Sequence, residues 1–499
     1  PDISMRLNYR TFLNGLDTLK SVHCFFSKGV LYTLEMFTLS LALLLLTYRV
    51  GPAHAADRPL NVIVVDICSA RTDRMGSYGS KAGLTPGLDA FAKEAATFEN
   101  AWAQSSWCLP NYATLMTGHR PEVHGLVANL PFRGLPDWET TVAERMRNAG
   151  YRTGAFTAGS YTLPAWGLDR GFDHYINRFD AANAHAGRFS ELVPEIDKWI
   201  SAKSTQPFFL YTTVDDLHSP YQGDASTETY EGVSLDTTTL GVRFFRAYNG
   251  TLPAPDSPLR AKLEEFRRDP RSLPAVAWHY EQALRATDRS VARFLEGLKK
   301  RGVWDDTVII VTADHGELLG EHGLLGHTEG LYQPILHVPM FIRDPSRPNS
   351  AGSRVPALVE RIDLAPTFLD IANAQDPWLE LQGRSLRPLL SNPRAPWRRY
   401  SYASSKRNLD VAADYTIDER AIRDERWKLI WSLPQGNWHL YDLKNDPMET
   451  TNLASKHPEQ LARLAFALQT EAEAARPHGA GRPSGRLDKD TRLRPEDHD

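Results

Sequence analysis

Cys108 is the residue of this chain with the clearest capacity for covalent chemistry. Cysteine occurs at only three of the 499 positions, and Cys108 lies in the stretch SSWCLPNYATLMTGHRP, residues 105–121. A proline two residues further on, followed by a segment that can continue as a helix, predicts that Cys108 stands at a helix N-terminus. The free N–H groups and the dipole there stabilise an anion, which suits a nucleophile. The alternative is a small buried core residue, the usual role of a free cysteine.

A second group of reactive side chains lies at the ends of apolar runs. Asp66 ends the run NVIVVD, and Asp314 with His315 follows the run DTVIIVT. A divalent cation binds carboxylate oxygens, and a set that includes one imidazole suits Mn²⁺, Zn²⁺ or Mg²⁺. His218 follows the apolar run PFFLYTTVDD, which also ends in acids, and His327 follows the run DTVIIVT further along the chain. For any single aspartate the alternative role is a helix cap or a turn, since Asp favours both.

Apolar runs that alternate with helical patterns must position these residues. Buried strands are predicted for four runs, at residues 61–66, 151–158, 207–216 and 306–317. Helical patterns cover residues 86–98, 141–149 and 277–301. Strands that alternate with helices indicate an α/β layered domain, and such sheets bind ligands at the carboxyl ends of their strands. We therefore expect the strand-end acids to meet at one edge of the sheet.

Three further segments depart from this alternation. Residues 219–274 are rich in Thr, Gly, Asp, Pro and Arg, which predicts an insertion over the active face. From residue 399, short alternating runs predict an antiparallel hairpin, and residues 453–475 predict a closing helix. Residues 476–499 are rich in Gly, Pro and charge, so we expect them to form a disordered tail.

The net charge indicates which partners the protein can have, and the N-terminal composition indicates its destination. The formal net charge of -4 over 499 residues argues against a nucleic-acid-binding protein, which would be clearly basic. Residues 1–55 contain basic residues, an apolar stretch and the small-x-small pattern at residues 53–55, which together predict a signal peptide or leader. We expect export to the periplasm or the medium, with membrane contact only if this segment stays uncleaved.

Several motifs, in the same order along the chain, resemble those of the sulfatase family, which belongs to the alkaline-phosphatase-like group. They include NVIVVDICSARTDRMGSYG, SSWCLPNYATLMTGHRPEVHG, WDDTVIIVTADHGELLGEHG and RIDLAPTFLDIA, and they span roughly residues 60–470. The resemblance implies a large mixed, mostly parallel sheet sandwiched by helices, with a small C-terminal antiparallel sheet plus a helix. It also implies a catalytic domain at residues 56–395 and a C-terminal subdomain at residues 396–475.

The same resemblance implies roles for individual site residues. One divalent metal ion, Ca²⁺, Mg²⁺ or Mn²⁺, is expected on Asp66, Asp314 and His315. The nucleophile is expected at Cys108, at the position where the family oxidises a cysteine to formylglycine. His218 and His327 match positions that contact the transferred group or protonate the leaving group.

The chain departs from the family pattern at three places, and each departure removes charge from the site. Ile67 follows Asp66 where many sulfatases carry a second acid, and Tyr112 stands where the maturation motif Cys-x-Pro-x-Arg has its arginine. A lysine–histidine pair common after the AGYRT strand is replaced by TAGSYTLP. Three states therefore stay open for Cys108: formylglycine, a metal-activated thiolate, or part of an inactive site.

The resemblance implies a metal-dependent hydrolase of sulfate esters that acts on a small or polymeric anionic substrate, such as an aryl sulfate or a sulfated glycan. The alternative on the same scaffold is a phosphodiesterase, a phosphonate monoester hydrolase or a phosphoethanolamine-type transferase. A third hypothesis is a non-catalytic carbohydrate-binding protein that retains the cleft. The joint presence of Asp66, Asp314, His315, His218 and His327 favours an enzyme.

Overall fold

The computed structural model of the protein describes eight stretches of the chain, residues 59–129, 134–180, 187–221, 229–250, 253–374, 381–407, 417–433 and 436–475. All eight belong to one unit, Pro59–Asp499. The leader predicted for residues 1–55 and the tail predicted for residues 476–499 lie outside the described residues. Within the eight stretches, no helix combines the length and the apolar character needed to cross a bilayer.

Two sheets and a two-stranded ribbon contain the strands of the described residues. In chain order the strands are β1 (Asn61–Ile67), β2 (Ala96–Trp102), β3 (Arg152–Thr157), β4 (His174–Asn177), β5 (Phe208–Val214), β6 (Thr307–Thr312), β7 (Leu318–Leu319), β8 (Leu325–Gly326), β9 (His337–Val338), β10 (Met340–Arg343), β11 (Arg354–Glu360), β12 (Ser401–Arg407), β13 (Ile417–Arg423), β14 (Trp427–Leu433) and β15 (Asn437–Asp442). The ribbon is β7 with β8, the smaller sheet has the order β12-β13-β14-β15, and the remaining nine strands form the large sheet.

The large sheet is mixed and mostly parallel. Its order is β11-β2-β10-β6-β1-β5-β3-β4, with β9 paired to β2, and only β9 and β10 run antiparallel to their neighbours. β1 lies between β5 and β6 and is parallel to both. Asp66 is level with Thr213 of β5 and Thr312 of β6, so the three acid-tipped strands end side by side. The predicted fold class is confirmed.

The helices of the described residues are α1 (Pro86–Ala92), α2 (Cys108–Thr117), α3 (Pro121–His124), α4 (Val142–Asn148), α5 (Phe189–Ile200), α6 (Val242–Tyr248), α7 (Pro258–Arg268), α8 (Ser272–Lys300), α9 (Gln333–Leu336), α10 (Leu364–Ile371), α11 (Arg387–Ser391) and α12 (Pro458–Ala474). Helix α8 covers residues 277–300 of the pattern predicted at residues 277–301. The helix predicted at residues 86–98 is wrong in its second half, because β2 begins at Ala96 and pairs with β10 and β11. Pairing with distant strands overrides a local helical pattern.

The predicted insertion, residues 219–274, contains helices α6 and α7. Most of its arginines that the structure describes in ion pairs contact carboxylates of the insertion itself. These pairs join Arg260 and Arg268 to Glu264, and Arg271 to Asp269. Such exposed local pairs contribute little to stability.

The small sheet and helix α12 share a hydrophobic cluster of their own, to which Trp427, Leu429, Leu440, Leu464 and Leu468 belong. The four antiparallel strands extend the predicted hairpin, and α12 lies within the closing helix predicted at residues 453–475. The domain boundary predicted between residues 395 and 396 stays a prediction, since the described residues form one unit.

Candidate active site

Cys108 is the first residue of helix α2, as the sequence predicts. The residue before it, Trp107, is extended (φ -110, ψ 144), so the chain enters the helix through a sharp change of direction. Asn111 fixes this entry from inside the helix: its Oδ1 accepts the N–H groups of Gln104 (3.0 Å) and Ser105 (3.2 Å). Its amide donates back to the Ser105 and Trp107 carbonyls at 2.8 and 3.0 Å. One buried side chain therefore holds the loop that presents the cysteine.

Two imidazoles face the Cys108 sulfur. The Nε2 atom of His315 lies 3.1 Å from Sγ and that of His327 lies 3.8 Å away. His218 belongs to the same group, because its ligand atom lies within 4.8 Å of those of Cys108 and His327. The structure thus brings together all three residues predicted to be catalytic, Cys108, His218 and His327.

Neighbouring acceptors fix which nitrogen of each ring faces the sulfur. His327 Nδ1 lies 2.7 Å from Glu317 Oε2, and the other oxygen of Glu317 accepts the Tyr221 hydroxyl at 3.1 Å. His218 Nδ1 lies 2.8 Å from the Ser219 carbonyl. A proton on each Nδ1 satisfies these acceptors, which leaves both Nε2 atoms directed at the reaction centre. Cys108, His327 and Glu317 therefore form a thiol–imidazole–carboxylate series, the arrangement that can activate a nucleophile.

Neighbouring charges shift the protonation of this cluster. The hydrogen bond with Cys68 and the charge of His315 outweigh burial and lower the pKa of Cys108 well below its usual value. Burial alone lowers the pKa of a histidine, yet the pKa of His218 rises to about 9 beside Cys108. The pKa of His315 rises to about 10 because the charges of Asp314 and Cys108 also outweigh burial. A thiolate between imidazolium groups is the charge state that these shifts favour.

Asp314 and His315, predicted to bind a metal, lie directly after β6 and are fully buried. The backbone N–H groups of Ser69 and His315 donate to Asp314 Oδ1 at 3.0 and 2.7 Å. The other oxygen, Oδ2, lies 3.4 Å from Cys68 Sγ and 3.4 Å from His315 Nε2. Four ligand atoms, from Cys68, Cys108, Asp314 and His315, all lie within 4.8 Å of one another.

Asp66, the third predicted metal ligand, has different partners. The guanidinium of Arg361 binds it bidentately, with Nη1 and Nη2 each 2.8 Å from one carboxylate oxygen, and both side chains are fully buried. The Tyr211 hydroxyl donates a third hydrogen bond at 3.0 Å. Both described groups of potential metal ligands, the one above and the group of Cys108, His218 and His327, leave Asp66 out. Its role as a metal ligand stays a prediction.

Tyr112 lies on α2 one turn after the cysteine, where the family motif has an arginine. The side chain is buried, and its hydroxyl oxygen has no hydrogen-bond partner among the described residues. Burial and the charge of Asp314 raise the pKa of Tyr112 well above its usual value, so the phenol stays neutral. Position 112 therefore supplies a hydroxyl group but no positive charge.

Arg246 of the insertion lies at the rim of the site. Its guanidinium carbon is 5.9 Å from the ring centre of Trp107, the neighbour of Cys108, and the side chain is exposed. The same charge lowers the pKa of Tyr161, although burial and Cys108 raise it overall. Arg246 therefore places an exposed positive charge next to the buried Trp107 indole, which suits an anionic ligand.

Three site residues were not singled out from the sequence as functional: Cys68, Glu317 and Arg361. Cys68 follows Asp66 by two positions and Glu317 follows His315 by two positions, so membership of a strand-end loop could have indicated both. Arg361 lies 295 positions from Asp66, and only the fold brings the two together.

Comparisons with known proteins agree on one family. Residues 60–374 match the family model described as Sulfatase, and residues 320–476 match the one described as N-sulphoglucosamine sulphohydrolase, C-terminal. The chain is 26% identical over 498 residues to an N-acetylglucosamine-6-O-sulfatase of Bacteroides thetaiotaomicron, covering 84% of this chain and 87% of that protein. It is 27% identical over 429 residues to arylsulfatase K of Homo sapiens, with 76% of each protein covered.

Solved structures share the fold. A phosphonate monoester hydrolase from Silicibacter pomeroyi superposes with a TM-score of 0.67 at 24% identity, covering 84% of this chain and 96% of that one. A protein solved in complex with its substrate D-glucosamine-2-N,6-O-disulfate superposes with a TM-score of 0.63 at 22% identity, covering 84% and 98%. At these identities the likeness shows the fold alone.

Proposed function

The chain belongs to the sulfatase family, and we propose that it hydrolyses sulfate esters with residue 108 as the nucleophile. The observation that carries the proposal is the placement of Cys108 at the start of α2, with His315 Nε2 at 3.1 Å and His327 Nε2 at 3.8 Å. Backbone N–H groups of the first helical turn supply the positive end of the helix dipole to an anionic group there.

The protein residues divide the proton transfers of this reaction. The side chain of residue 108 attacks the ester sulfur, and the bond from sulfur to the alcohol oxygen breaks. In a formylglycine hydrate the second hydroxyl then expels sulfate as the carbon–oxygen bond breaks, and water adds to the resulting aldehyde to restore the hydrate. His327, oriented by Glu317, and His218 lie where they can move a proton at the leaving oxygen. The first step needs one group to accept the nucleophile's proton and one to donate to the leaving alcohol.

The family generally uses a divalent metal ion together with formylglycine. Asp314 and His315 would hold the ion here, whereas Asp66, the third ligand predicted from the sequence, is paired with Arg361 instead. The ion would supply Lewis-acid polarisation of the sulfuryl oxygens. We propose formylglycine at residue 108, formed by a maturation system that accepts Tyr112 in place of the motif arginine.

We propose an anionic carbohydrate or aryl ester as the substrate class. The relatives include an N-acetylglucosamine-6-O-sulfatase and arylsulfatases. At the rim, the exposed guanidinium of Arg246 offers a cation to such a ligand. The predicted leader, residues 1–55, places the reaction outside the cytoplasm in this proposal.

A second candidate, phosphonate monoester or phosphodiester hydrolysis, is supported by one residue. His315 stands after the strand-end aspartate where many sulfatases have an amide, and phosphonate monoester hydrolases resemble this chain at that position. Sulfate monoesters and phosphonate monoesters both present a tetrahedral monoanion around the central atom, so the same pocket can accept either.

A paired assay tests the proposal. The full chain, with the divalent ions Ca²⁺, Mg²⁺, Mn²⁺ and Zn²⁺ added back separately, is given an aryl sulfate, an aryl phosphate diester and an aryl phosphonate. We expect sulfate release by the unchanged chain, loss in Cys108→Ala, and retention in Ser106→Ala, whose hydroxyl pairs with Ser405 instead. Turnover confined to the phosphorus esters would favour the second candidate. Sulfate release that survives Cys108→Ala would overturn the nucleophile assignment.

A further inference from the structure

We propose that the metal centre of this chain is a thiolate site, in which Cys68 ligates together with Asp314, His315 and residue 108 and Asp66 takes no part. The expected cation is a borderline, thiophilic ion such as Zn²⁺, not Ca²⁺ or Mg²⁺. This inference rests on the proposed function, because it concerns the metal of the same centre.

The spacing of the donor atoms matches a tetrahedral cage. Cys108 Sγ is 3.1 Å from His315 Nε2, Cys68 Sγ is 3.4 Å from Asp314 Oδ2, and that oxygen is 3.4 Å from His315 Nε2. All the ligand atoms lie within 4.8 Å of one another. Tetrahedral zinc with bonds of about 2.0–2.3 Å has ligand-to-ligand edges of roughly 3.3–3.8 Å. Small movements of these side chains therefore bring all four ligand atoms to bonding distance of one metal ion.

The surrounding hydrogen bonds orient each ligand for a metal. His315 Nδ1 lies 2.8 Å from the Gly316 carbonyl, which holds the proton on Nδ1 and leaves the Nε2 lone pair facing the cysteines. The N–H groups of Ser69 and His315 occupy Asp314 Oδ1, so that Oδ2 faces the cage. Metal-binding histidines and carboxylates are held by such second contacts in known sites.

Burial strengthens the inference. Cys68 and Cys108 are 1% and 2% exposed, and Asp314 and His315 are fully buried. Exposed clusters of acids and histidines commonly have no metal, whereas this buried carboxylate needs a neutralising charge, which the imidazolium of His315 supplies in the metal-free chain and a bound cation would supply in its place. A divalent cation neutralises this set and lowers the pKa of the thiols.

Arg361 explains why Asp66 is not part of the cage. Its guanidinium supplies a permanent positive charge in a bidentate pair with Asp66, and Tyr211 adds a third hydrogen bond. The carboxylate is thereby neutralised and its two oxygens are used. Replacing an oxygen ligand by the sulfur of Cys68 shifts the preference from Ca²⁺ or Mg²⁺ towards Zn²⁺, since hard cations select oxygen.

The test is the metal content and coordination of the full chain, purified under reducing conditions and loaded with Zn²⁺ or Ca²⁺. X-ray absorption at the zinc edge is expected to show sulfur at about 2.3 Å, with about one bound ion per chain. Cobalt substitution is expected to give a thiolate-to-cobalt charge-transfer band. We expect Cys108→Ala to retain one sulfur neighbour, because Cys68 remains, whatever the chemical state of residue 108 in the parent.

Matched variants separate Cys68 from Asp66. Cys68→Ala is expected to lower zinc occupancy at least tenfold at limiting metal, whereas Asp66→Asn keeps the sulfur shell in its folded fraction. Because Asp66→Asn can unfold the chain, Cys68→Asp gives a second test: it should abolish the charge-transfer band of the Cys108→Ala background and shift the preference towards Mn²⁺.

Three outcomes would overturn the inference: a shell of oxygen and nitrogen only, full zinc occupancy in Cys68→Ala, or a metal-free chain with a Cys68–Cys108 disulfide after reducing purification. None of these readouts uses ester turnover. A sulfur-bound zinc in a chain that hydrolyses no sulfate ester would overturn the proposed function alone. Sulfate release supported by Ca²⁺ in an oxygen shell would overturn only this inference.

Discussion

Asp66 and Asp314 end neighbouring parallel strands, β1 and β6, yet the fold gives them different partners. Asp66 is held by the guanidinium of Arg361 and the hydroxyl of Tyr211. Asp314 is held by two backbone N–H groups on one oxygen and faces Cys68 and His315 with the other. One carboxylate is therefore a neutralised part of the core, and the other is poised to bind a cation.

The difference shows that a strand-end acid acquires its role from what the rest of the chain brings to it. Both acids satisfy the rule that ligands gather at the carboxyl ends of parallel strands. A buried guanidinium makes a bidentate pair complete in itself, whereas backbone amides orient a carboxylate without neutralising its charge.

We expect the reaction to take place on the Asp314 side, and the proposed nucleophile, Cys108, gives the largest expected effect. Cys108→Ala should lower sulfate release by at least about a thousandfold, since a catalytic nucleophile acts together with its neighbours as a unit. Thermal unfolding of the same variant should change little, because only one sulfur atom is removed. Activity is followed as released sulfate; turnover within tenfold of the unchanged chain would contradict the prediction.

We expect the ion pair of Asp66 with Arg361 to contribute to the free energy of unfolding. Arg361→Leu leaves a buried carboxylate without its partner, and we expect it to lower the free energy of unfolding by about 3–5 kcal/mol. Urea denaturation followed by circular dichroism measures the loss. The control is Arg347→Leu. Asp344 contacts two guanidinium groups, those of Arg347 and Arg387, so this variant removes one and leaves the other. Equal decreases in the free energy of unfolding of the two variants would show that the Asp66–Arg361 pair stabilises the fold no more than the Asp344–Arg347 pair does.

Glu317 orients His327 and is a positioning residue on the Asp314 side. Glu317→Gln should lower kcat by about a hundredfold, since a neutral amide no longer stabilises the imidazolium. We also expect the pH profile of kcat to change its shape, an effect that a packing defect would not produce. Tyr221→Phe, which removes only the hydroxyl donor to Glu317, is the matched control. Its fold-decrease in kcat should be less than a tenth of the fold-decrease in Glu317→Gln.

Arg246 at the rim is expected to act on binding alone. Arg246→Ala should raise KM for a sulfated oligosaccharide about fivefold, as expected for one exposed ionic contact, and leave kcat unchanged. The effect should shrink at high salt because exposed charges are screened. Arg243→Ala, also exposed on α6, is the control. A fall in kcat without a change in KM would place Arg246 in the chemical step instead.

His337 gives a pH prediction away from the site. Burial lowers its pKa to about 4, so the folded chain keeps it neutral while the unfolded chain binds a proton below about pH 6.5. Its contribution is present above pH 6.5 and is lost as the pH falls towards 4. The melting temperature should fall over this window, and less steeply in His337→Gln; parallel curves would contradict the assignment.

The large-scale order of the fold was predictable because unbroken apolar runs and helical periods are local signals. NVIVVD and DTVIIVT correspond to strands β1 and β6, and the pattern from residue 277 lies within α8. The helix predicted through residue 98 failed because β2 is specified by its neighbours β10 and β11, which lie far away in the chain.

The site was predictable where its residues follow a strand end or a helix start. Cys108, His218, His327, Asp314 and His315 lie together as that rule requires. The partners that set their chemistry were not predictable, because contacts such as Asp66 with Arg361 join segments 295 positions apart. Periodicity and spacing contain no information on which distant side chain will reach a given carboxylate.

Two carboxylate-to-amide variants, measured side by side, test whether Asp314 serves the reaction while Asp66 serves the stability of the fold. Asp314→Asn should abolish sulfate release and leave the melting temperature close to that of the unchanged chain, because the amide oxygen still accepts both N–H groups. Asp66→Asn should lower the melting temperature strongly while its folded fraction keeps measurable turnover. The opposite pattern, with Asp66→Asn stable and inactive and Asp314→Asn active, would contradict this division of roles between the two aspartates.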